Sequence, residues 1–166
     1  MISKFIWVRH VISIRKALDK DATFICELHI ESIKHFCQEF YSSEALEDWI
    51  VTKKPSIYRD CPPHIKIIVA ENGAAIIGFG VINLNTSSID SVYIKPGHAG
   101  KGIGTMLLHE LENIAREFGI NQLKLDSTLN ATEFYKRMGY KDIQKKEAVL
   151  LSGTKLPCFL MSKIIR

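Results

Sequence analysis

The chain has 166 residues, of which 46% are hydrophobic and 24% charged, with 22 basic against 18 acidic side chains and a net charge of +4. That length fits one domain with a core of its own, so a single domain over residues 1–166 is expected. The basic residues are scattered, with only Lys141, Lys145 and Lys146 close together, which argues against the clustered basic face of a dedicated nucleic-acid binder and leaves room for an anionic ligand.

Residues 7–15 alternate loosely and include Val8, Val11, Ile12 and Ile14, which predicts a first strand. Asp19 and Asp21 then offer helix N-caps, and Ala22, Ile25, Cys26, His29, Ile33, Phe36 and Cys37 follow at helical spacing. A second short helix is expected after Ser42 or Ser43, carrying Leu46, Trp49 and Ile50, with Pro55, Pro62 and Pro63 in the loop beyond it. An antiparallel meander comes next. Its strands are Ile65 to Glu71, Ala75 to Leu84 and Ile89 to Ile94, and Asn72-Gly73 reads as a type I′ turn between the first two. A long helix from about residue 102 to Phe118 shows an apolar stripe of Ile103, Leu107, Leu111, Ile114 and Phe118, with Gly119 as its left-handed C-cap. Gln122 to Asp126 is a short strand, which makes 89–126 a right-handed parallel crossover. A short helix over about 131–138 stops at Gly139, and two last strands, about 141–151 and 156–164, are joined across Ser152-Gly153. The fold class is therefore α/β with a mixed (α+β) sheet, mostly antiparallel around one central parallel β-α-β crossover, with flanking helices.

The run Lys95-Pro96-Gly97-His98-Ala99-Gly100-Lys101-Gly102-Ile103-Gly104-Thr105 joins a strand to the long helix. Glycines at 100, 102 and 104 let backbone N–H groups face one concave spot and let a ligand approach the main chain. The first N–H groups of a helix lack intrahelical partners and, with the macrodipole, favour an anion. This helix starts with Lys101 and has no acid before Glu110, so its positive end is left uncompensated. The bland alternative is a glycine-rich turn that packs a helix tightly on the sheet. A Walker loop is excluded because Gly102, rather than Ser or Thr, follows Lys101. A dinucleotide fingerprint counted from Gly100 would need a glycine at Thr105, and the flanking antiparallel strands do not suit a doubly wound sheet.

These residues resemble the signature of the GNAT superfamily of acyl-CoA N-acyltransferases. The strand end Ile94-Lys95-Pro96 precedes Ala99-Gly100-Lys101-Gly102-Ile103-Gly104, whose defining glycines are Gly102 and Gly104; Ala99 departs from the usual Gln or Arg. The family's second motif matches Asn130-Ala131-Thr132-Glu133-Phe134-Tyr135-Lys136-Arg137-Met138-Gly139-Tyr140, although many members carry the asparagine where this chain has Thr128. Tyr41-Ser42 leading to Trp49, together with Pro157-Cys158, is similar to a bacterial subgroup of unassigned substrate.

The resemblance implies acetyl-CoA as acyl donor. Its diphosphate would rest on the amides of Gly100 to Thr105 (Gly100, Lys101, Gly102, Ile103, Gly104 and Thr105), with Ala99 at the loop's start and Asn130 on the cofactor side. The pantetheine arm would lie along Val92, Tyr93 and Ile94. Tyr135 matches the family's proton donor to the departing thiolate; the alternative is a core aromatic beside Phe134. Asp90 is the first candidate for the base that frees the amine, against a mere turn carboxylate. Glu31, His29 and His35 are further candidates, with His29 on the apolar helix face and so also readable as a packed core histidine. His98 would either touch phosphate or be an exposed loop histidine. The acceptor would be the amine of a small molecule or peptide.

A non-catalytic acyl-CoA sensor on the same fold is the alternative function, and acylation of charged tRNA or of a protein N-terminus differs only in acceptor. The four cysteines, Cys26, Cys37, Cys61 and Cys158, match no common zinc spacing and read as free thiols, so no metal is expected. No stretch of 18 apolar residues suggests a membrane span. Lys4 and Arg9 flank only a short apolar stretch, so no signal peptide and a cytoplasmic location are expected. No stable nucleic-acid partner is expected, and a homodimer is left open.

Overall fold

A computed structural model describes residues 11–166. Among the described residues seven strands form one sheet: β1 (Ile12–Lys16), β2 (Ile65–Asn72), β3 (Ala75–Asn83), β4 (Ser88–Ile94), β5 (Gln122–Thr128), β6 (Lys141–Val149) and β7 (Lys155–Ile164), in the order β1-β2-β3-β4-β5-β7-β6. Every pairing is antiparallel except β4 with β5, which is parallel and bridged by α3 (Ile103–Glu117). The remaining helices are α1 (Ala22–Cys37), α2 (Ser43–Val51) and α4 (Thr132–Arg137). The expected mixed sheet, its crossover and all four helices are present. Residues 7–10 of the first predicted strand, with Lys4 and Arg9, lie outside the described residues. Among the described residues no helix is long and apolar enough to cross a membrane.

The apolar run in β2 is buried on both sides because helices cover both faces of the sheet. Ile68 and Ala70 pack with Leu107, Leu108, Leu111 and Ala115 of α3. Ile67 and Val69, one residue out of phase, pack with Ile25 and Leu28 of α1. Glycines in β3 permit the close approach of α3: a Cβ on Gly80 would come within 2.8 Å of Leu111 Cδ1, and one on Gly78 within 3.1 Å of Leu107 Cδ1. A third cluster holds α1 and α2 to β7 through Ile33, Tyr41, Leu46 and Leu156.

Three local expectations are corrected. The hairpin turn falls on Gly73 and Ala74, since Asn72 pairs with Ala75. Only Gly73 has positive φ (63°), so the type I′ reading of Asn72-Gly73 fails. Neither Asp19 nor Asp21 caps α1 with its side chain. Asp21 instead accepts from Arg15 (2.6 Å) and the Leu18 N–H (2.8 Å), and Asp19 from the Asp60 N–H (3.4 Å). Phe118 leaves the apolar stripe: at the C-cap of α3 it is 58% exposed, with Lys66 Nζ 5.5 Å from its ring centroid. Gly119 does take the left-handed conformation (φ 73°) that ends α3.

Candidate active site

The sheet opens in its middle. Parallel pairing of β4 with β5 covers only Ser88 with Lys124 and Ile89 with Leu125. On the other side of β4, Val81 pairs with Ser91 and Ile82 with Ile89, so Asp90 is the extra residue of a β-bulge. A bulge bends its strand and increases local twist, and from this point β4 and β5 diverge. The gap is a cavity of about 520 Å³, within the range of small-molecule sites. One wall is Ile89–Ile94 of β4, a second is Asp126 and Thr128 of β5 with the following turn and α4, and α1 contributes Ser32, Phe36 and Cys37. The Ser32 hydroxyl donates to the Ile94 carbonyl and ties α1 to the divergent strand.

At one end of the cavity lies the glycine loop. Gly97, Gly100 and Gly102 all have positive φ (82°, 76° and 80°), a conformation that side chains disfavour, and a Cβ on any of them would meet nothing within 4 Å. Glycine is required there by backbone conformation, and the space above it stays open. Gly104 serves differently, because its Cβ would sit 3.3 Å from Phe134 Cζ and push α4 away from α3. The first bond of α3 runs from the Met106 N–H to the Gly102 carbonyl. Among the described residues no acceptor pairs with the amides of Ala99, Gly100, Lys101, Gly102, Ile103, Gly104 or Thr105. His98 and Arg137 also line the cavity.

Asp90, Asp126, Asn130 and Tyr135 line the cavity as well. Asp90 accepts from the Ser88 hydroxyl (2.6 Å). Partial burial raises its pKa above the usual carboxylate value; the Ser88 bond opposes that shift and the charge of Asp126 adds to it. Asp126 is paired with Lys146 at 2.9 Å. Tyr135 is 7% exposed, and burial holds its phenol protonated well past neutrality. Among the described residues its hydroxyl has no hydrogen-bond partner. Tyr135 thus lines the cavity while its ring packs edge-on against Phe134 and Tyr140.

Val92, Tyr93, Ile94, Ala99, Gly100, Gly102, Ile103, Gly104, Thr105, Asn130, Tyr135 and Asp90 all line this cavity. The Lys101 side chain does not; its ammonium folds back onto the Gly97 carbonyl at 3.0 Å. His29 is 4% exposed in the core beneath β4, with Nδ1 2.6 Å from the Tyr58 hydroxyl and its ring 4.0 Å from that of Tyr93. Burial, with Lys53 adding to it, keeps His29 neutral, and it does not reach the cavity. Glu31 and His35 are exposed on α1 and do not line it either. Sequence reasoning missed Ser32, Phe36 and Cys37, which share the apolar face of α1 with true core residues. Asp126, which in sequence reads only as the ribose-binding acid of a dinucleotide fold, and Thr128, which reads only as a departure from the family's asparagine, are not placed in the site by that reasoning; their i, i+2 spacing on β5 is the available signal.

Residues 25–140 match the model of the acetyltransferase (GNAT) family. The chain is 24% identical over 137 residues to the thialysine N-epsilon-acetyltransferase of Bos taurus, covering 70% of this chain and 81% of that protein. Its fold is similar to a GCN5-related N-acetyltransferase from Rhodopseudomonas palustris, with TM-score 0.84 and 25% identity over 92% of this chain and 94% of that one. It is also similar to the PaiA N-acetyltransferase of Thermoplasma acidophilum solved in complex with coenzyme A, with TM-score 0.78 and 25% identity over 93% of this chain and 99% of the other.

Proposed function

We propose a transfer reaction for this chain, which belongs to the acetyltransferase (GNAT) family and is an acyl-CoA-dependent N-acyltransferase: an acetyl group passes from acetyl-CoA to a primary amine inside the cavity between β4 and β5. The observation that carries this reading is the row of acceptor-free amides at residues 99–105, at one end of a cavity that reaches Tyr135 and Asp90. A diphosphate needs several converging donors and close approach to the main chain. The loop offers both, and His98 and Arg137 add positive charge or donors nearby.

When bound, acetyl-CoA supplies the acetyl group as an activated thioester. The backbone of Val92, Tyr93 and Ile94, unpaired on its β5 side, is available to align the donor's arm, and an N–H there stabilises charge developing on the carbonyl oxygen. An alkylammonium near pKa ~10.4 is unreactive, so Asp90 takes its proton, directly or through water. The raised pKa of Asp90 brings a carboxylate closer to neutrality and strengthens it as a base. As the C–N bond forms and the C–S bond breaks, Tyr135 donates its proton to the departing thiolate and is reprotonated, through water, by the proton that the acylated nitrogen sheds.

A small-molecule or peptide amine is the acceptor class, and thialysine, named for a relative, is the first compound to test. Thiol release from acetyl-CoA across a panel of amines reads the reaction. Tyr135→Phe is expected to slow release roughly 10- to 100-fold while CoA affinity by calorimetry stays unchanged. Loss of rate and affinity together contradicts the role given to Tyr135, and absence of CoA binding to the wild-type chain overturns the reading of the loop.

A further inference from the structure

The corner between α1 and α2 touches the cavity walls through two side chains that the reaction above does not use. Tyr41 is buried with Ile33, Leu46 and Leu156. Its hydroxyl donates to the Pro157 carbonyl of β7 at 2.8 Å and accepts the Leu129 N–H at 3.0 Å. Cys37, one turn earlier, donates its thiol to Asn130 Oδ1 at 3.5 Å. Leu129 and Asn130 form the turn between β5 and α4. The Ala131 N–H and the Thr132 hydroxyl both bond the Thr128 carbonyl, and the Tyr135 N–H bonds the Ala131 carbonyl. One phenol therefore joins β7, the α1–α2 corner and the turn from which the Tyr135 helix begins.

α4 spans only Thr132–Arg137, and so short a helix has little stability of its own. Beyond the core packing of its ring, where Tyr135 stands depends on what holds the ends of α4. At its C-terminal end the Tyr140 N–H returns to the Tyr135 carbonyl. At its N-terminal end the Leu129 amide has one acceptor, and that acceptor is Tyr41. Burial pushes the Tyr41 phenol up to about 12, so it remains a donor to Pro157 across the neutral range. The pieces Tyr41-Ser42 and Pro157-Cys158, far apart in sequence, meet in this one bond.

We propose that Tyr41 is a positioning residue for acetyl transfer: its hydroxyl fixes the Leu129–Asn130 turn against β7 and so sets where the Tyr135 hydroxyl stands in the cavity. This rests on the reading of Tyr135 as proton donor. Tyr41 itself touches no reacting atom; it acts through the turn and α4.

Tyr41→Phe keeps the ring in its apolar cluster and removes only the bridging oxygen. The first measurement is NMR of ring-labelled tyrosines with CoA bound, the Tyr135 signal being assigned by its disappearance in Tyr135→Phe. The expected result is a shifted or broadened Tyr135 signal in Tyr41→Phe, with CoA affinity by calorimetry unchanged. The rate of thiol release from acetyl-CoA, with thialysine or water as acceptor, falls roughly tenfold, and adding Tyr41→Phe to Tyr135→Phe causes no further loss. A role confined to stability would leave the Tyr135 signal in place, or would make the two rate losses multiply, and either outcome overturns the proposal. Should Tyr41→Phe fail to fold, exchange of the wild-type Leu129 amide decides. Protection supports the bridge, and exchange at the speed of an open turn removes it. Full activity in Tyr135→Phe would sink the proton-donor reading instead, and is distinguishable because the Tyr135 signal would still respond to Tyr41→Phe.

Discussion

In the second half of α3, Glu112 is 2% exposed and fully partnered: Lys163 Nζ lies 2.8 and 3.0 Å from its two oxygens, the Tyr140 hydroxyl 3.3 Å from one, and Arg116 3.7 Å from the other. At the start of the same helix the amides of 99–105 have no acceptor among the described residues, and no acid stands in the first turn. One helix thus carries a carboxylate deep in the fold with both oxygens hydrogen-bonded, and a set of donors near solvent with none. Buried polar groups are ordinarily satisfied because leaving them unpaired is costly. Donors left free at a cavity can wait for a ligand because water serves them meanwhile. Glu112 stands too far along α3 to compensate the dipole at its start; its position is set by Lys163 and Tyr140.

The largest effect tests the partnered half. Glu112→Ala strands the Lys163 ammonium, and breaking a buried pair from one side costs about 3–5 kcal/mol. Urea denaturation should show that loss while the folded fraction still binds CoA with wild-type affinity. At the open end, Gly102→Glu puts a carboxylate where an anion is expected and forces a side chain into left-handed backbone. CoA affinity by calorimetry should fall roughly 100-fold, whereas stability should drop by only about 1–2 kcal/mol. If both variants lose stability equally and CoA affinity survives in each, the two ends are alike and the distinction is wrong. Gly119→Ala, where φ is 73°, should cost about 1 kcal/mol in thermal melts and leave catalysis untouched, because it alters only the end of the helix.

The smallest effect concerns Asp90. Asp126 raises its pKa by charge repulsion, so Asp126→Asn should lower it. The rate fails at low pH when the base is protonated, and the acid limb of kcat/KM should therefore move to lower pH, by less than about one pH unit. A limb that stays fixed or moves upward would remove Asp90 from the base role.

Most of the fold was legible because its signals are local. The spacing of Ile103, Leu107 and Leu111, the glycines at 119 and 139, and the alternation within each strand all act over a few residues. The glycine loop was legible for the same reason. What was not legible depends on distant partners. Asp21 has the identity of an N-cap but is claimed by Arg15 and Leu18. The Asn72-Gly73 turn moved by one residue because Asn72 is the last rung of the ladder, paired with Ala75 of β3. Ser32 and Cys37 look like helix core, and only the divergence of β4 from β5 makes them cavity wall. That divergence begins at the bulge on Asp90, which the family resemblance implies but the residues of 88–94 do not mark by themselves.

Two rungs between β4 and β5 give the sheet four edges where seven continuous strands would have two. The inner pair runs through the middle of the molecule, where amides usually exchange slowest. Backbone groups of Ser91 to Tyr93 that face β5 should instead exchange like those of a boundary strand, and slow down when something fills the space beside them. Such edges ordinarily invite a strand from another molecule. Here Ser32 and Phe36 of α1 line the same opening, so the inner edges lie beside a helix and are less open to a strand from another molecule than the outer ones.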